Sequence, residues 1–512
     1  MMTRPVFIRR VFLTVLAASF SAAARPQAVQ PVPSPRPTSA ERLRVERGAF
    51  LEMFARAYYP GRSGQIMVVN REGDILTRPG VDVPFMHGSP WSYDTRIPLL
   101  FWGPRYVRSG RSQEPVSQED VAPTLARALG LPMREVTGRV LTGALKAGAP
   151  TPKAVVLLVL DAFRADYLDR YVSQLPTLSR LRREGAFFEK ARVTHLPTIT
   201  SIGHATIATG TEPRFHGIVA NTAYNRVKGE VQEAFPSLSP ENLAAPALAD
   251  LWNFETDGKA VILVQTSTSG AGGLAGHGAC IFNGRPIAYA SYSYTTGKWE
   301  TNPRCFRLPD YLKDRNVRSV WEGTDRRWMD HDIAAPDIVR RSAPFTRFET
   351  EALTAMIAQE PLGADDVPDL VMANLKVADY VGHAYGPDSA EMKDALAAVD
   401  REVGAILEAL DAKVGKEGYL LAVTADHGMP PEPPEGRARH YNNDIAKLIH
   451  DKFDPEEKLV THYGAENGQI YVDLGRARSL GVRLEQIRDL LLAQEFVVAA
   501  FTEDEVRRTR VP

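Results

Sequence analysis

The chain has 512 residues, 44% of them hydrophobic, and its 61 Lys and Arg residues nearly balance its 62 Asp and Glu residues. A chain of this size and composition can bury a large core, and α/β enzymes of this length can form one domain. The formal net charge of −1 includes no basic excess of the kind that binds nucleic acid. We therefore expect a globular protein without a nucleic-acid-binding surface.

The N-terminus has the pattern of an export signal. In residues 1–24 several arginines precede an apolar stretch, and residues 22–24 are small, as at a cleavage site. Arg9 and Arg10 also resemble a twin-arginine signal, so the export route stays open. Residues 25–45 are rich in proline and predict a linker. We expect an exported protein, periplasmic or secreted, with no membrane span after signal removal; the sequence does not indicate its oligomeric state.

The predicted elements alternate between strands and helices, which is typical of a mostly parallel sheet flanked by helices. Residues 222–350 break the alternation with Gly-, Tyr- and Trp-rich sequence, and we expect an insertion there that covers the functional site. The elements predicted in chain order are a helix over 41–59, strands over 65–69 and 97–102, a helix over 120–129, strands over 155–160 and 370–375, a helix over 389–410, and strands over 420–425 and 469–472.

Cys280 and Cys305, the only two cysteines, both fall within this predicted insertion. An oxidising compartment would allow them to form a disulfide bond, and two free, partly buried thiols are the alternative. Neither cysteine has the spacing of a zinc ligand.

Carboxylates and imidazoles stand next to the apolar strand-like runs at four widely separated places. Because ligands bind beyond the carboxyl ends of parallel strands, we expect these side chains to meet at one edge of the sheet. Three carboxylates and three imidazoles suit two zinc ions, which indicates metal-assisted hydrolysis. The residues are Asp161, Asp379, His383, Asp426 and His427, with His87 just ahead of the strand over 97–102.

A hydroxyl-rich segment over residues 197–210 predicts a helix that begins with free backbone N–H groups and a positive dipole end. Such a helix start is a phosphate-binding position. A metal ion on a hydroxyl there would lower the pKa of the hydroxyl and make it a nucleophile. The alternative is a threonine that only caps an ordinary helix; the surrounding ligand set favours the nucleophile.

From about residue 46 onward, the sequence resembles the alkaline phosphatase superfamily, in particular its type I phosphodiesterase/nucleotide pyrophosphatase branch. The resemblance implies that Thr200 is the nucleophile and that Asn221, together with the amide of Ser201, holds a phosphoryl oxygen. The matching segments are Leu160-Asp161-Ala162-Phe163, Thr200-Ser201-Ile202-Gly203-His204, Asp379-Tyr380-Val381-Gly382-His383, Ala425-Asp426-His427-Gly428 and His87-Gly88-Ser89-Pro90.

The same resemblance implies how two Zn²⁺ ions would be divided among the ligands. One ion would be held by Asp379, His383 and His87. The other would be held by Asp161, Asp426, His427 and the Thr200 oxygen. Three further histidines are left out of the ligand set: His204 and His216 are expected to be structural, and His462 is the rival metal ligand.

The order of the motifs differs from that of the family, where the His-Gly-Ser-Pro segment closes the chain instead of opening it. We interpret residues 46–512 as one circularly permuted catalytic domain. Residues 46–145 would be the family's C-terminal part, 146–153 a surface linker, and 154–512 the N-terminal part. A permutation is mild where the original termini are close and exposed. It predicts that His87 lies near Asp379 and that the first helix packs near the chain end.

The resemblance implies a phosphate-ester hydrolase with a phospho-threonine intermediate. Relatives that hydrolyse monoesters carry a Lys-x-Arg pair, whereas residues 265–284 contain neither Lys nor Arg. Because this loss weakens charge-assisted binding of a dianion, and the glycines there could leave room for a second organic group, we expect a phosphodiesterase. An alkaline phosphatase acting on monoesters is the alternative, with Arg285, Arg304 or Arg307 replacing the pair. A non-catalytic binding relative is disfavoured because the nucleophile and all ligands are kept.

Overall fold

The computed structural model of the protein describes residues 39–80, 83–281, 286–464 and 468–511. The chain divides into two units, and of the first, residues 1–44, only the start of helix α1 (Ser39–Ala57) is described. The predicted signal and most of the predicted linker therefore lie outside the described residues. The following description concerns the second unit, residues 45–512.

A ten-stranded sheet forms the centre of this unit. Its strand order is β11-β10-β9-β15-β5-β16-β3-β6-β4, and β12 pairs with β10 at one side. The ranges are β3 (Leu99–Trp102), β4 (Gly110–Ser117), β5 (Ala154–Leu160), β6 (Ala186–Arg192), β9 (Ile262–Thr266), β10 (Ile287–Ser293), β11 (Lys298–Glu300), β12 (Phe306–Arg307), β15 (Asp369–Leu375) and β16 (Tyr419–Thr424).

The centre of this sheet is parallel and buried on both faces. β5 pairs in parallel with β15 and β16, and β15 pairs in parallel with β9. Every residue of β5, β15 and β16 is buried, as expected for continuous runs rich in aliphatic side chains. The predicted α/β fold with a mostly parallel sheet is confirmed.

A second sheet has four strands in the order β18-β19-β1-β20, with β1 (Ile66–Asn70), β18 (Val460–Tyr463), β19 (Gln469–Val472) and β20 (Val497–Thr502). Two of these strands, β1 and β19, coincide with predicted ones. Three two-stranded pairs complete the β structure: β2 (Ile75–Thr77) with β17 (Arg439–Tyr441), β7 (Thr222–Asn225) with β8 (Glu230–Glu233), and β13 (Arg327–Trp328) with β14 (His331–Asp332).

Helices surround the central sheet, with α11 packed on β9 and β15, and α3 on β5 and β16. Within the described part of the chain, none is long and apolar enough to cross a bilayer. After α1 the helices are α2 (Ser92–Thr95), α3 (Val121–Leu129), α4 (Tyr167–Arg170), α5 (Pro176–Glu184), α6 (Thr200–Thr209), α7 (Pro213–His216), α8 (Leu248–Glu255), α9 (Asp310–Lys313), α10 (Pro336–Val339), α11 (Ala343–Gln359), α12 (Val377–Tyr385), α13 (Ala390–Val414), α14 (Asn442–Phe453), α15 (Leu474–Ser479), α16 (Leu484–Leu492) and α17 (Glu503–Arg508).

The direction of β3 brings the segment before it to the edge where the parallel strands end. β3 is antiparallel to β16, with Leu99 opposite Thr424. The beginning of β3 therefore lies beside the carboxyl end of β16, and β16 is in turn parallel to β5. His87, which precedes β3, can thus reach the same edge as residues that follow β5, β15 and β16.

The predicted insertion over residues 222–350 is only partly separate from the central fold. The β7–β8 hairpin lies outside the main sheet, but β9, β10 and β11 extend that sheet beyond β15. Parallel pairing of β9 with β15 satisfies backbone groups that would otherwise be exposed at an edge. Cys280 and Cys305 form a disulfide bond within this region, which decides between the two alternatives left by the sequence.

Two features agree with positions expected for a permuted chain, although the permutation itself stays a proposal. Phe50 and Met53 of α1 pack in one apolar cluster with Phe501 and Val506 near the chain end. Most residues of the segment 146–153 are exposed, as expected for a connection that crosses the surface.

Candidate active site

The first ligand group joins His87 to two residues of α12. The Nε2 atom of His87 lies 3.4 Å from Oδ1 of Asp379, and Nε2 of His383 lies 3.3 Å from the same oxygen. Asp379 and His383 stand one helical turn apart, which places both side chains on one face of α12. Two imidazoles and one carboxylate therefore converge as a group able to hold a metal ion.

The second group lies at the ends of β5 and β16. The Nε2 atom of His427 lies 3.2 Å from Oδ2 of Asp426 and 3.6 Å from Oδ1 of Asp161. The hydroxyl oxygen of Thr200 is 3.3 Å from the same nitrogen. This second group can also hold a metal ion, and the structure brings all six sequence-predicted ligands and Thr200 together.

The three imidazoles are oriented by the backbone. In each ring, Nδ1 faces a main-chain carbonyl oxygen and donates its proton to it, which directs Nε2 toward the carboxylates. This tautomer is the one required of a metal ligand. The pairs are His87 with Thr198 O at 2.9 Å, His383 with Phe85 O at 2.6 Å, and His427 with Gly428 O at 2.9 Å.

One oxygen of each carboxylate is left for another partner. Asp426 accepts backbone N–H groups of Ala162 and His427 at Oδ1, and Asp161 accepts the side-chain amide of Asn374 at Oδ2. Oδ1 of Asp379 and Oδ2 of Asp426 are buried without a hydrogen bond, and Oδ1 of Asp161 has the ammonium group of Lys376 3.0 Å away, so one lysine is present for three buried carboxylates. Buried anionic oxygens of this kind are costly unless a cation compensates them, so the residues fit two divalent metal ions.

The rings of His87 and His427 stack with centroids 3.6 Å apart, and their pKa values shift in opposite directions. Burial, and next the charge of His427, lower the pKa of His87 to about 3. Burial also acts to lower the pKa of His427, but the Asp426 carboxylate outweighs it and raises that pKa to about 9. Burial, followed by repulsion from Asp426, raises the pKa of Asp161 to about 6. His87 is therefore neutral at physiological pH, as a ligand must be.

Thr200 is the first residue of α6 and is buried. The amide of the next residue, Ser201, donates to Oδ1 of Asn221 at 2.9 Å. The expectation that this amide and Asn221 act side by side on a phosphoryl oxygen is thus modified. In this structure the amide orients Asn221, and the hydroxyl of Ser201 has no hydrogen-bond partner.

Sequence reasoning missed Lys376, whose ammonium group lies between the two ligand groups. Its Nζ is 3.0 Å from Oδ1 of Asp161, 2.7 Å from Oδ2 of Asp379 and 3.2 Å from Oγ1 of Thr200. The available signal was its position directly after β15 and three residues before Asp379, which puts both on one helical face. Asn374, which donates to Asp161, was also missed.

The remaining histidines have other partners. His204 donates from Nδ1 to Thr200 O at 2.9 Å and accepts Asn374 at Nε2, so both ring nitrogens are engaged. His216 pairs with Thr206 Oγ1 and with the amide of Ile218. His462 lies by Thr222 and belongs to neither ligand group of the described residues.

A cavity of about 270 Å³ opens onto Thr200, His87, Asp379 and Lys376. Arg340 also lines this cavity. Its guanidinium carbon lies 4.5 Å from the Tyr380 ring centre and 4.7 Å from that of Tyr294, in the range of cation–π contacts. Of the arginines proposed to replace the Lys-x-Arg pair, Arg285 lies outside the described residues. Arg307 is bound to Glu360, and neither Arg304 nor Arg307 lines the cavity.

The glycines after β9 pack closely on α6 and Phe235, and Gly270 also borders the cavity. A Cβ atom on Gly273 would lie 2.8 Å from Cα of Ala205 in α6, and one on Gly270 would lie 3.1 Å from Oγ of Ser201. Phe235 fills the space beside Gly272, where a Cβ would approach it to 3.0 Å. Gly270 also lines the cavity, so the expectation that this loop makes room for a second organic group stays a prediction.

Several known proteins are similar to this chain in sequence and in fold. A model of the type I phosphodiesterase/nucleotide pyrophosphatase family matches residues 155–487, well over half of the chain. The chain belongs to this family. It is thereby a member of the alkaline phosphatase superfamily, as its resemblance implied, and the matched residues begin at β5 and leave out the segment before it.

Two alkaline phosphatases match over most of their length. PafA of Elizabethkingia meningoseptica is 27% identical over 444 residues, which cover 73% of this chain and 79% of that protein. PhoV of Synechococcus elongatus is 27% identical over 408 residues, which cover 68% of this chain and 74% of that protein. Human ectonucleotide pyrophosphatase/phosphodiesterase family member 1 is 27% identical over 283 residues, which are 55% of this chain and 24% of that protein.

The crystal structure of wild type PafA is similar to this fold, with a TM-score of 0.60. The alignment has 23% identity and covers 71% of this chain and 81% of that one. At this identity the likeness supports the shared fold alone.

Proposed function

We propose that the protein is an exported phosphate-ester hydrolase that uses two Zn²⁺ ions and the hydroxyl of Thr200. The observation that carries the proposal is the convergence of two ligand groups on this hydroxyl, which lies 3.3 Å from Nε2 of His427 at the start of a helix. Membership of a family of phosphoric-ester hydrolases supports the same conclusion. The export signal proposed for residues 1–24 would place the enzyme in the periplasm or outside the cell.

In the proposed site, His87, Asp379 and His383 hold one ion, and Asp161, Asp426, His427 and the Thr200 oxygen hold the other. Bound zinc would lower the pKa of the Thr200 hydroxyl and of a water molecule and would offset charge on the phosphoryl group. The set offers nitrogen and carboxylate oxygen atoms, the ligands that zinc takes at catalytic sites.

The reaction proceeds in two displacements in this proposal. Oγ1 of Thr200 attacks phosphorus in line and its proton passes to solvent, while the bond from phosphorus to the leaving alcohol oxygen breaks and that oxygen takes a proton from water. The product is a phospho-threonine. Attack by water on its phosphorus then breaks the bond to Oγ1, which regains a proton as the threonine hydroxyl, and releases phosphate from a monoester or a phosphomonoester from a diester. Asn221, whose Oδ1 accepts the Ser201 amide, would donate from its side-chain amide to a non-bridging oxygen.

Phosphomonoesters are the first candidate substrates and phosphodiesters the second. The expectation of a diesterase rested partly on room beside the glycines; Gly272 and Gly273 instead pack on Phe235 and α6, while Gly270 lines the cavity. The alkaline phosphatases PafA and PhoV also match far more of their own length than the human phosphodiesterase does. The lack of Lys and Arg over residues 265–284 continues to favour diesters.

Turnover of two aryl esters tests the proposal. The purified, zinc-supplied protein is expected to release p-nitrophenol from p-nitrophenyl phosphate or from bis(p-nitrophenyl) phosphate, and chelation is expected to stop it. Acid quenching during turnover, followed by peptide mass spectrometry, is expected to find phosphate on Thr200. Zinc-dependent turnover without any phosphorylated Thr200 under single-turnover conditions would exclude the covalent route, and absence of turnover would exclude the enzyme.

A further inference from the structure

Lys376 is a buried cation that the proposed reaction leaves without a role. Its side chain is 7% exposed, and its ammonium group contacts Asp161, Asp379 and Thr200 at 3.0, 2.7 and 3.2 Å. The backbone holds it in place, since the amide of Lys376 donates to Oε1 of Glu349 at 2.7 Å. A long flexible side chain fixed in this way is preorganised to bind an anionic group that approaches Thr200.

The position of this ammonium group relative to the nucleophile determines what it can touch. A phosphoryl group attacked by Oγ1 of Thr200 brings its non-bridging oxygens around that atom. Because Nζ of Lys376 is 3.2 Å from Oγ1, one of these oxygens can reach hydrogen-bond distance from the ammonium group. Lysine binds phosphate as a compact point charge with three donors, which suits this contact.

Lys376 adds one positive charge to the site, and this charge affects phosphomonoester dianions and phosphodiester monoanions differently. Asp161, Asp379 and Asp426 contribute three negative charges, and Lys376 reduces this to a net two. Two divalent ions would add the same positive charge to this group with or without Lys376, so Lys376 makes the loaded group more positive by one charge. A phosphomonoester dianion gains more from that additional charge than a phosphodiester monoanion does. Coulomb interactions are strong in a buried site, so this difference favours the dianion.

The loop after β9 cannot supply the same charge. Residues 265–284 contain no Lys or Arg, and Gly270 and Gly273 pack against α6 where side chains would clash. Lys376, directly before α12, lines the same cavity and contacts Thr200.

We propose that Lys376 is a substrate-binding residue that contacts a non-bridging phosphoryl oxygen and sets a preference for phosphomonoester dianions. This inference rests on the proposed function, because it assigns the substrate class of the same site.

The test compares Lys376→Met, which removes the charge at similar volume, with Lys376→Arg, which keeps it. Lys393→Met is the matched control, since Lys393 is exposed on α13. Lys376→Met is expected to lower kcat/KM for p-nitrophenyl phosphate by roughly 10- to 100-fold, the usual worth of a charge-assisted hydrogen bond. It should lower kcat/KM for bis(p-nitrophenyl) phosphate by much less. Lys376→Arg should keep the ratio of kcat/KM for the two esters within about tenfold of the wild-type ratio.

A second readout does not depend on turnover. Binding of inorganic phosphate to the zinc-loaded protein, measured by calorimetry, should weaken roughly 10- to 100-fold in Lys376→Met and remain unchanged in Lys393→Met. Zinc content should stay the same in all variants. If Lys376→Met does not fold, Lys376→Gln, which keeps a hydrogen-bond donor without the charge, should show the same losses.

Equal losses for both esters, unchanged phosphate binding, or loss of a zinc ion from the neutral variants would overturn the proposal for Lys376. A wild-type protein that turns over neither ester would instead overturn the proposed function. The phosphate-binding comparison would still decide whether Lys376 contacts the anion, so the two failures are distinguishable.

Discussion

Nε2 of His87 lies 3.4 Å from Oδ1 of Asp379, although the two residues stand far apart in the chain. His87 reaches this position because β3 runs antiparallel to β16, so the segment before β3 starts at the edge where β5, β15 and β16 end. The contact completes one of the two ligand groups that carry the proposed chemistry.

Removing either member of this pair should remove one metal ion. We expect two zinc ions in the wild-type protein and one in His87→Ala and in Asp379→Asn, because a site with only two protein ligands is weak. Elemental analysis after dialysis measures the stoichiometry. His462→Ala is the control and should keep two ions, since His462 belongs to neither group. Loss of zinc from the control but not from His87→Ala would reverse the ligand assignment.

Thr200 and Ser201 should differ in their effect on turnover. Thr200→Ala is expected to lose at least about a thousandfold in kcat because the attacking oxygen is gone. Ser201→Ala should remain within about tenfold, since its backbone amide, which orients Asn221, is kept. Thr200→Ser, which restores a hydroxyl, is the matched control and should recover much of the activity. Initial rates with an aryl phosphate check all three variants, and a tolerated Thr200→Ala would move the nucleophile elsewhere.

The strands and the candidate metal ligands were predictable because each combines an apolar run with a polar end. The buried strands β5, β15 and β16 have this form, and their positions are confirmed within one residue. The direction of β3 was not predictable, because a strand of four residues contains no signal of its partner. The glycines after β9 appeared as an open loop, since sequence does not show that Ala205 approaches Gly273.

Lys376 shows why part of the site escaped sequence reasoning. A lysine at the start of a helix is ordinarily solvated, and its position after β15 and three residues before Asp379 is a weak signal against that. Its burial depends on Asp161 and Thr200, which come from other elements of the fold. The role of a side chain that depends on two such contacts is evident only once the strands are assembled.

Close packing of the glycine loop on α6 should be sensitive to a single methyl group. In Gly273→Ala the added Cβ would lie 2.8 Å from Cα of Ala205, and backbone atoms on both sides cannot rotate away. We expect a loss of about 1 to 3 kcal/mol in the free energy of unfolding, as for other overpacked cores. Gly143→Ala is the control, because nothing lies within 4 Å of its Cβ position. Urea unfolding at fixed zinc concentration compares them, and equal stabilities would argue against the close approach.

Glu349 should make the stability of the protein fall as pH rises. Burial raises the pKa of Glu349 to about 8 in the folded protein, against opposing hydrogen bonds from Ser267 and the amide of Lys376. The unfolded chain therefore releases this proton at lower pH than the folded chain does. The resulting loss of stability begins near the unfolded pKa of about 4.3 and is complete above about 8.

Glu349→Gln removes this titration and keeps an oxygen that can accept from Lys376 N. Between pH 5 and pH 8 the wild-type protein should lose on the order of 3 kcal/mol relative to this variant. Chemical unfolding of both proteins at the two pH values, with zinc held constant, measures the difference. Parallel pH dependence in the two proteins would show that Glu349 does not hold its proton in the folded state.

Restoring the family order of segments tests the proposed permutation. Phe50 of α1 packs in one cluster with Phe501 and Val511, so the start of the second unit and the chain end share a core. A chain that runs from residue 154 to 511, continues through a short Gly/Ser linker and ends with residues 46–145 is expected to fold. It should bind two zinc ions and keep kcat/KM within about tenfold of the native order, because ligands meet in space and the new opening lies in the exposed segment 146–153.

A chain opened between Leu421 and Ala422 in β16 is the control and should not fold, since it interrupts a fully buried central strand. If the reordered chain fails in the same way as that control, residues 46–145 depend on their present position, and the permutation proposal is wrong.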